Sequence, residues 1–85
     1  MPEISRFHGI VIVMYYNDHA PPHFHARCGS HEITVRIMDG LVEGRFPQRA
    51  LRLVLQWYSI HHVSLLEDWN LARQHQPLRP IDPLE

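Results

Sequence analysis

Between His23 and Arg36 the chain alternates strictly and turns sharply at its midpoint, which predicts a β-hairpin. Phe24, Ala26 and Cys28 fall on one side, and His23, His25 and Arg27 on the other. Gly29-Ser30 suits a two-residue type II′ loop. That loop sets Cys28 against His31, Arg27 against Glu32, Ala26 against Ile33, His25 against Thr34, Phe24 against Val35 and His23 against Arg36. Apolar residues then meet apolar ones, and Arg27 meets Glu32 as a cross-strand ion pair.

The flanking segments extend the sheet. Asp39-Gly40 reads as a type I′ turn that sets Ile37 against Val42 and Arg36 against Glu43. Ile10–Tyr16 is apolar and β-branched on both sides, as expected of a central strand, with Gly9 as a bulge or bend before it. The strand stops in Asn17-Asp18-His19-Ala20-Pro21-Pro22, where two prolines end ladder donation. The expectation is an antiparallel meander of three to four strands with one apolar face. The opposite face carries His23, His25, Arg27, Glu32, Thr34, Arg36, Glu43 and Arg45.

From Pro47 the period changes to that of a helix. Proline suits the first helical position, where its missing N–H is not needed. Ala50, Leu51, Leu53, Val54, Leu55, Trp57, Tyr58 and Ile60 cover an arc of roughly 220° at 100° per residue, wider than one sheet requires. Beyond His61 the stripe narrows to Leu65, Leu66, Trp69 and Ala72. An unbroken helix to about residue 75 would exceed roughly 40 Å, so a kink or break is expected near Ser59–His62. The end of the chain repeats Pro77-Leu78-Arg79, Pro80-Ile81-Asp82, Pro83-Leu84-Glu85. In a polyproline II helix Leu78, Ile81 and Leu84 share one edge, suited to docking on the helix in cis or on a neighbouring subunit. The fold class is therefore α+β: residues 1–76 form one domain, a short antiparallel meander packed on a long or kinked C-terminal helix. Residues 77–85 form an extended proline-spaced tail.

Composition narrows the function classes. One cysteine, Cys28, permits no intrachain disulfide, no apolar run reaches the length of a membrane span, and no signal sequence is evident. A cytoplasmic protein is expected. A net charge of −1, with no lysine among the eight basic residues, argues against a strong nucleic-acid binder. There is no P-loop, nucleophile elbow, dinucleotide fingerprint or CxxC.

The most distinctive stretch is Asp18-His19-Ala20-Pro21-Pro22-His23-Phe24-His25. Histidines two apart on a strand share a face, so His23 and His25 can both ligate one metal such as Zn²⁺, with Asp18 or His19 as further ligands. An open fourth position would make such a site hydrolytic. Without a metal, His23 and His25 can serve as catalytic acid and base, tuned across the ladder by Arg36 and Glu43. The competing reading is a polar face whose histidines only fill hydrogen-bonding and packing roles. Arg45, Arg49 and Arg52 gather at the start of the helix and form a candidate anion site for RNA phosphate or an acidic partner.

Ile4-Ser5-Arg6-Phe7-His8-Gly9-Ile10-Val11-Ile12, Met14-Tyr15 and Asn17-Asp18-His19-x-Pro21-Pro22-His23-Phe24-His25 resemble the small bacterial domain-of-unknown-function 4160 family. The segments Pro47-x-Arg49-Ala50-Leu51-Arg52-Leu53-Val54-Leu55-x-Trp57 and Leu65-Leu66-x-Asp68-Trp69-x-Leu71-Ala72 are similar to its C-terminal half. The resemblance implies a bacterial cytosolic protein, often encoded beside a second small protein in a toxin–antitoxin-like pair. It transfers no catalytic residue. Two functions are therefore expected: a binding component of such a pair, or a small metal-assisted or histidine-dependent hydrolase or RNase. The first would meet a protein partner or a second copy through the apolar helix face and the tail.

Overall fold

The computed structural model describes residues 2–85. It is an α+β fold in the order β1 (Glu3–Phe7), β2 (Ile10–Val13), β3 (His23–Cys28), β4 (His31–Arg36), β5 (Val42–Gly44), α1 (Gln48–Ile60) and α2 (His62–Arg73). The five strands form one antiparallel meander in sequence order. This corrects the expected three to four strands. The additional strand is β1, which reverses onto β2 through His8 and Gly9 with Phe7 opposite Ile10. His8 and Gly9 have φ of 48° and 77°, as a two-residue type I′ turn requires. Gly9 is thus part of a hairpin turn rather than a bulge, and the strand it opens ends at Val13 instead of Tyr16.

The central hairpin has the register its alternation predicts, from His23 opposite Arg36 to Cys28 opposite His31. The next one does not. Val35, not Ile37, pairs with Val42, and Thr34, not Arg36, lies opposite Glu43. Ile37 is fully buried and donates its N–H to the Pro22 carbonyl at 2.9 Å, which draws it out of the β4–β5 ladder. Asp39 is then fastened inside a longer loop. It receives the Arg36 guanidinium at 2.8 and 2.6 Å and the Leu41 N–H at 3.1 Å. These contacts, led by Arg36, hold its carboxyl down to about 2. Gly40 closes the loop at φ 75°, where a Cβ would stand 3.2 Å from the Tyr58 ring, and the Tyr58 hydroxyl donates to the Ile37 carbonyl at 2.6 Å. A buried isoleucine and a fastened aspartate outweigh the intrinsic preference of Asp-Gly for a tight turn.

One sheet face, with Ile10, Ile12, Phe24, Ala26, Ile33 and Val35, belongs to the core cluster that also holds Val54, Trp57, Leu65 and Trp69 of the helices. Pro47 caps α1 from outside rather than beginning it. The helix breaks at His61 (φ −110°, ψ 24°), within the expected window. Residues 77–85 carry no helix or strand; Ile81 is buried, donates to the Ile4 carbonyl at 2.8 Å, and so covers part of the β1 edge. The Asp82 carbonyl accepts from the Trp57 indole at 2.8 Å. No helix among the described residues is long and apolar enough to cross a membrane.

Asp68 is an exception to the apolar core. It is 1% exposed, one oxygen accepts the Arg79 N–H at 3.0 Å, and the other has no partner. Burial pushes its carboxyl above the ordinary aspartate range, against the opposing pull of Arg79. The folded state therefore holds this proton more tightly than the unfolded chain. The resulting stabilisation is complete below the unfolded value and is lost as pH rises through the folded one. Asp68→Asn keeps the acceptor for Arg79 and removes the buried charge. Its melting temperature is expected to exceed that of the wild type at pH 7, with the gain shrinking as the buffer becomes acid enough to protonate the wild-type carboxyl. A gain independent of pH would refute this account.

Candidate metal centre

The polar face of the sheet carries the histidines. The alternation that sends Phe24 and Ala26 into the core turns His23 and His25 to the opposite side. Asp18, in the loop between β2 and β3, reaches back over them. Its Oδ2 lies 2.8 Å from His23 Nε2 and 2.9 Å from His25 Nε2, and its Oδ1 accepts the His19 N–H at 3.1 Å. The three side chains are only 12–16% exposed. Burial raises the Asp18 carboxyl, but the His25 hydrogen bond, the His23 charge and the His19 N–H outweigh it and hold the group below its ordinary value.

The other ring nitrogens decide how this cluster can be read. His23 Nδ1 is 2.8 Å from the Pro21 carbonyl, and His25 Nδ1 is 3.0 Å from Glu32 Oε2. Both partners are acceptors, so each Nδ1 must carry a proton. In a neutral imidazole the Nε2 is then a lone pair, yet both Nε2 atoms face a carboxylate oxygen. Two arrangements resolve this opposition: both rings doubly protonated around one carboxylate, or a cation among the three donors. Either arrangement gives every group a partner, and only the second uses both Nε2 lone pairs as donors to an ion. Metal-bound histidines commonly present this pattern, one nitrogen to the ion and the other N–H to a carbonyl or carboxylate. Asp18, His23 and His25 each offer a ligand atom within 4.8 Å of the others. Donors 2.0–2.1 Å from a tetrahedral ion stand roughly 3.3–3.4 Å apart, so the two Asp18–histidine separations would each open by about 0.5 Å to receive one.

The trio forms one wall of an open cleft of about 340 Å³ that is also lined by Thr34, Arg36, Leu41 and Glu43. A family model described as a domain of unknown function (DUF4160) matches residues 9–70, running from the β1–β2 turn through most of α2. The chain belongs to the DUF4160 family. The match to DUF4160 includes Asp18, His23, His25 and Glu32. No curated protein and no solved structure matches the chain.

Not every expected site residue of this DUF4160 chain joins the trio. The structure brings Asp18, His23 and His25 together. His19 stands at the cleft rim with its side chain 89% exposed and Nδ1 3.5 Å from Asp18 Oδ1. Arg36 and Glu43 line the cleft, but Arg36 is committed to Asp39, and the residue acting on His25 is Glu32. Arg45, Arg49 and Arg52 are exposed around the start of α1, and none lines the cleft. Two contributors escaped sequence reasoning. Glu32 was placed on the correct face opposite Arg27, and its diagonal relation to His25 was available from the register. Trp69, whose ring centre lies 5.4 Å from that of His23, gave no such signal, because its contact depends on where α2 settles.

Proposed function

We propose that this protein binds a divalent transition-metal ion through Asp18, His23 and His25 and uses it for hydrolysis. The observation that carries the reading is the shared Asp18 oxygen. Two imidazoles present Nε2 to it, while both Nδ1 atoms are taken by acceptors. Two imidazoles and one carboxylate suit zinc, and three protein ligands leave a fourth position for water, whose pKa the ion lowers toward neutrality. In this reading that position opens into the cleft beside Thr34 and Arg36. Equilibrium dialysis of the full chain against Zn²⁺, Co²⁺, Mn²⁺ and Fe²⁺ tests the first part. One ion per chain is expected, and none in a His23→Ala/His25→Ala variant. Activated phosphate and carboxylate esters and a short oligoribonucleotide test the second, assayed with and without the retained ion. Wild-type protein that holds no more metal than the double variant removes the proposal.

A second reading, a binding component of a toxin–antitoxin-like pair, is favoured by different residues. Ile60 and Val63 flank the helix break and are 61% and 69% exposed. The rest of the wide arc is largely covered, with Leu51, Leu53, Leu55 and Tyr58 packed against the core. The tail is also engaged in cis, so on the helices the support lies in this apolar pair. Co-expression with the product of the adjacent gene, followed by measurement of the mass in solution, distinguishes a complex from a free monomer. An Ile60→Glu/Val63→Glu variant that still forms the complex would remove these residues from the interface.

A further inference from the structure

The two candidate ligands are held in different ways. His23 Nδ1 rests on a backbone carbonyl, whereas His25 Nδ1 rests on the Glu32 side chain. Glu32 is itself held: its other oxygen receives Arg27 Nε at 3.1 Å, and the Arg27 guanidinium also donates to the Tyr15 hydroxyl. The Tyr15 ring then stands edge-on to His25, with centroids 4.6 Å apart and planes at 79°. The contacts thus run from His25 through Glu32, Arg27 and Tyr15 back to His25. They fix both the rotation of the imidazole and the nitrogen that carries its proton. An exposed ion pair such as Arg27–Glu32 contributes little to stability in itself. Its arrangement around one imidazole is the informative feature.

We propose that Glu32 is a positioning residue that holds His25 as an Nε2 donor to the metal. This rests on the metal-binding reading above. Glu32 would act through His25 by fixing the Nδ1–H tautomer and, as an anion, by making Nε2 the stronger donor. Loss of such an outer carboxylate typically costs 10–100-fold in metal affinity.

The test uses the full, ¹⁵N-labelled chain, with Zn²⁺ as the probe. Glu32→Ala is expected to weaken Zn²⁺ binding by about 10–100-fold, and Glu32→Gln by less, because the amide oxygen still accepts from Nδ1. Glu67→Gln removes an exposed carboxylate on α2 and is expected to leave affinity unchanged. Imidazole ¹⁵N shifts provide the readout that loosening of the sheet would not mimic. In Glu32→Ala the His25 signals are expected to move toward a mixture of tautomers while those of His23 stay in place. Joint movement of both rings, or Zn²⁺ affinity in Glu32→Ala within twofold of the wild type, overturns the proposal. Wild-type protein that binds no Zn²⁺ at all overturns the metal centre and this proposal together. Wild type that binds it beside an unaffected Glu32→Ala overturns only the positioning role.

Discussion

Asp18→Asn is expected to lower affinity for Zn²⁺ by more than about 100-fold while leaving the metal-free protein folded. The lower bound follows from comparison: an outer-sphere contact already costs 10–100-fold, and Asp18 would be a direct ligand and the only anionic one. The folded state should survive because asparagine reverses the polarity at the contact. The Asp18 oxygen faces two Nε2 atoms at 2.8 and 2.9 Å, whose rings donate elsewhere through Nδ1. An amide NH₂ in that place can donate to both lone pairs, so neutral imidazoles need no cation between them. The variant thus converts the centre from a cation site into a satisfied neutral network of the same shape. Isothermal titration with Zn²⁺ and a urea melt of the metal-free protein check the two halves separately. Undiminished Zn²⁺ binding would show that Asp18 is not a ligand. A large drop in metal-free stability would show that the cluster is a structural ion network instead.

The parts of this centre that could be read from the sequence are those set by period-two geometry. His23 and His25 had to share a face because Phe24 and Ala26 needed the core, and the Gly29-Ser30 loop fixed the pairing that places Thr34 and Glu32 near them. Asp18 was foreseeable as a neighbour, since Pro21 and Pro22 shorten its path back to the start of β3. What the pattern could not supply was direction. Asp18 and His19 are adjacent and chemically equal candidates, yet one carboxylate turns inward and one imidazole points to solvent. That choice belongs to loop torsions, which leave no trace in hydrophobic alternation.

The fold shows the same division. Apolar periodicity located the sheet and the helices, because each is a statement about which residues avoid water, and helix length alone called for the break found at His61. The Asp39-Gly40 turn failed because its local preference competed with the burial of Ile37 and with the Arg36–Asp39 fork, both tertiary effects. The β1 strand was missed because its turn residue, His8, adopts a positive φ that histidine seldom takes, so no Asn-Gly or Asp-Gly marked it.

Trp57→Ala should be the most damaging core substitution, costing about 3–5 kcal/mol. Trp57 is fully buried, its ring lies 5.5 Å from Phe7, 5.7 Å from Phe24 and 5.4 Å from His61, and its indole N–H holds the Asp82 carbonyl. It therefore ties the sheet, the helix break and residues 77–85 together. Domains of this length have a total stability of about 4–13 kcal/mol, so the variant would stand at or near the edge of folding. Trp57→Phe keeps an aromatic ring but loses the N–H and the volume of the fused five-membered ring; a loss of about 1–3 kcal/mol is expected, smaller than for alanine, with earlier proteolysis near residue 82. Because Trp57 packs on the face of the sheet opposite His23 and His25, it should affect the metal centre only through folding. Zn²⁺ at a hundred times its dissociation constant adds about 2.7 kcal/mol to the folded state. Zn²⁺ should accordingly restore a cooperative urea transition to Trp57→Ala but not to Trp57→Ala/Asp18→Asn. Rescue of both variants would mean that the ion binds somewhere other than Asp18, and rescue of neither, with Trp57→Ala folded, would separate the centre from the fold that carries it.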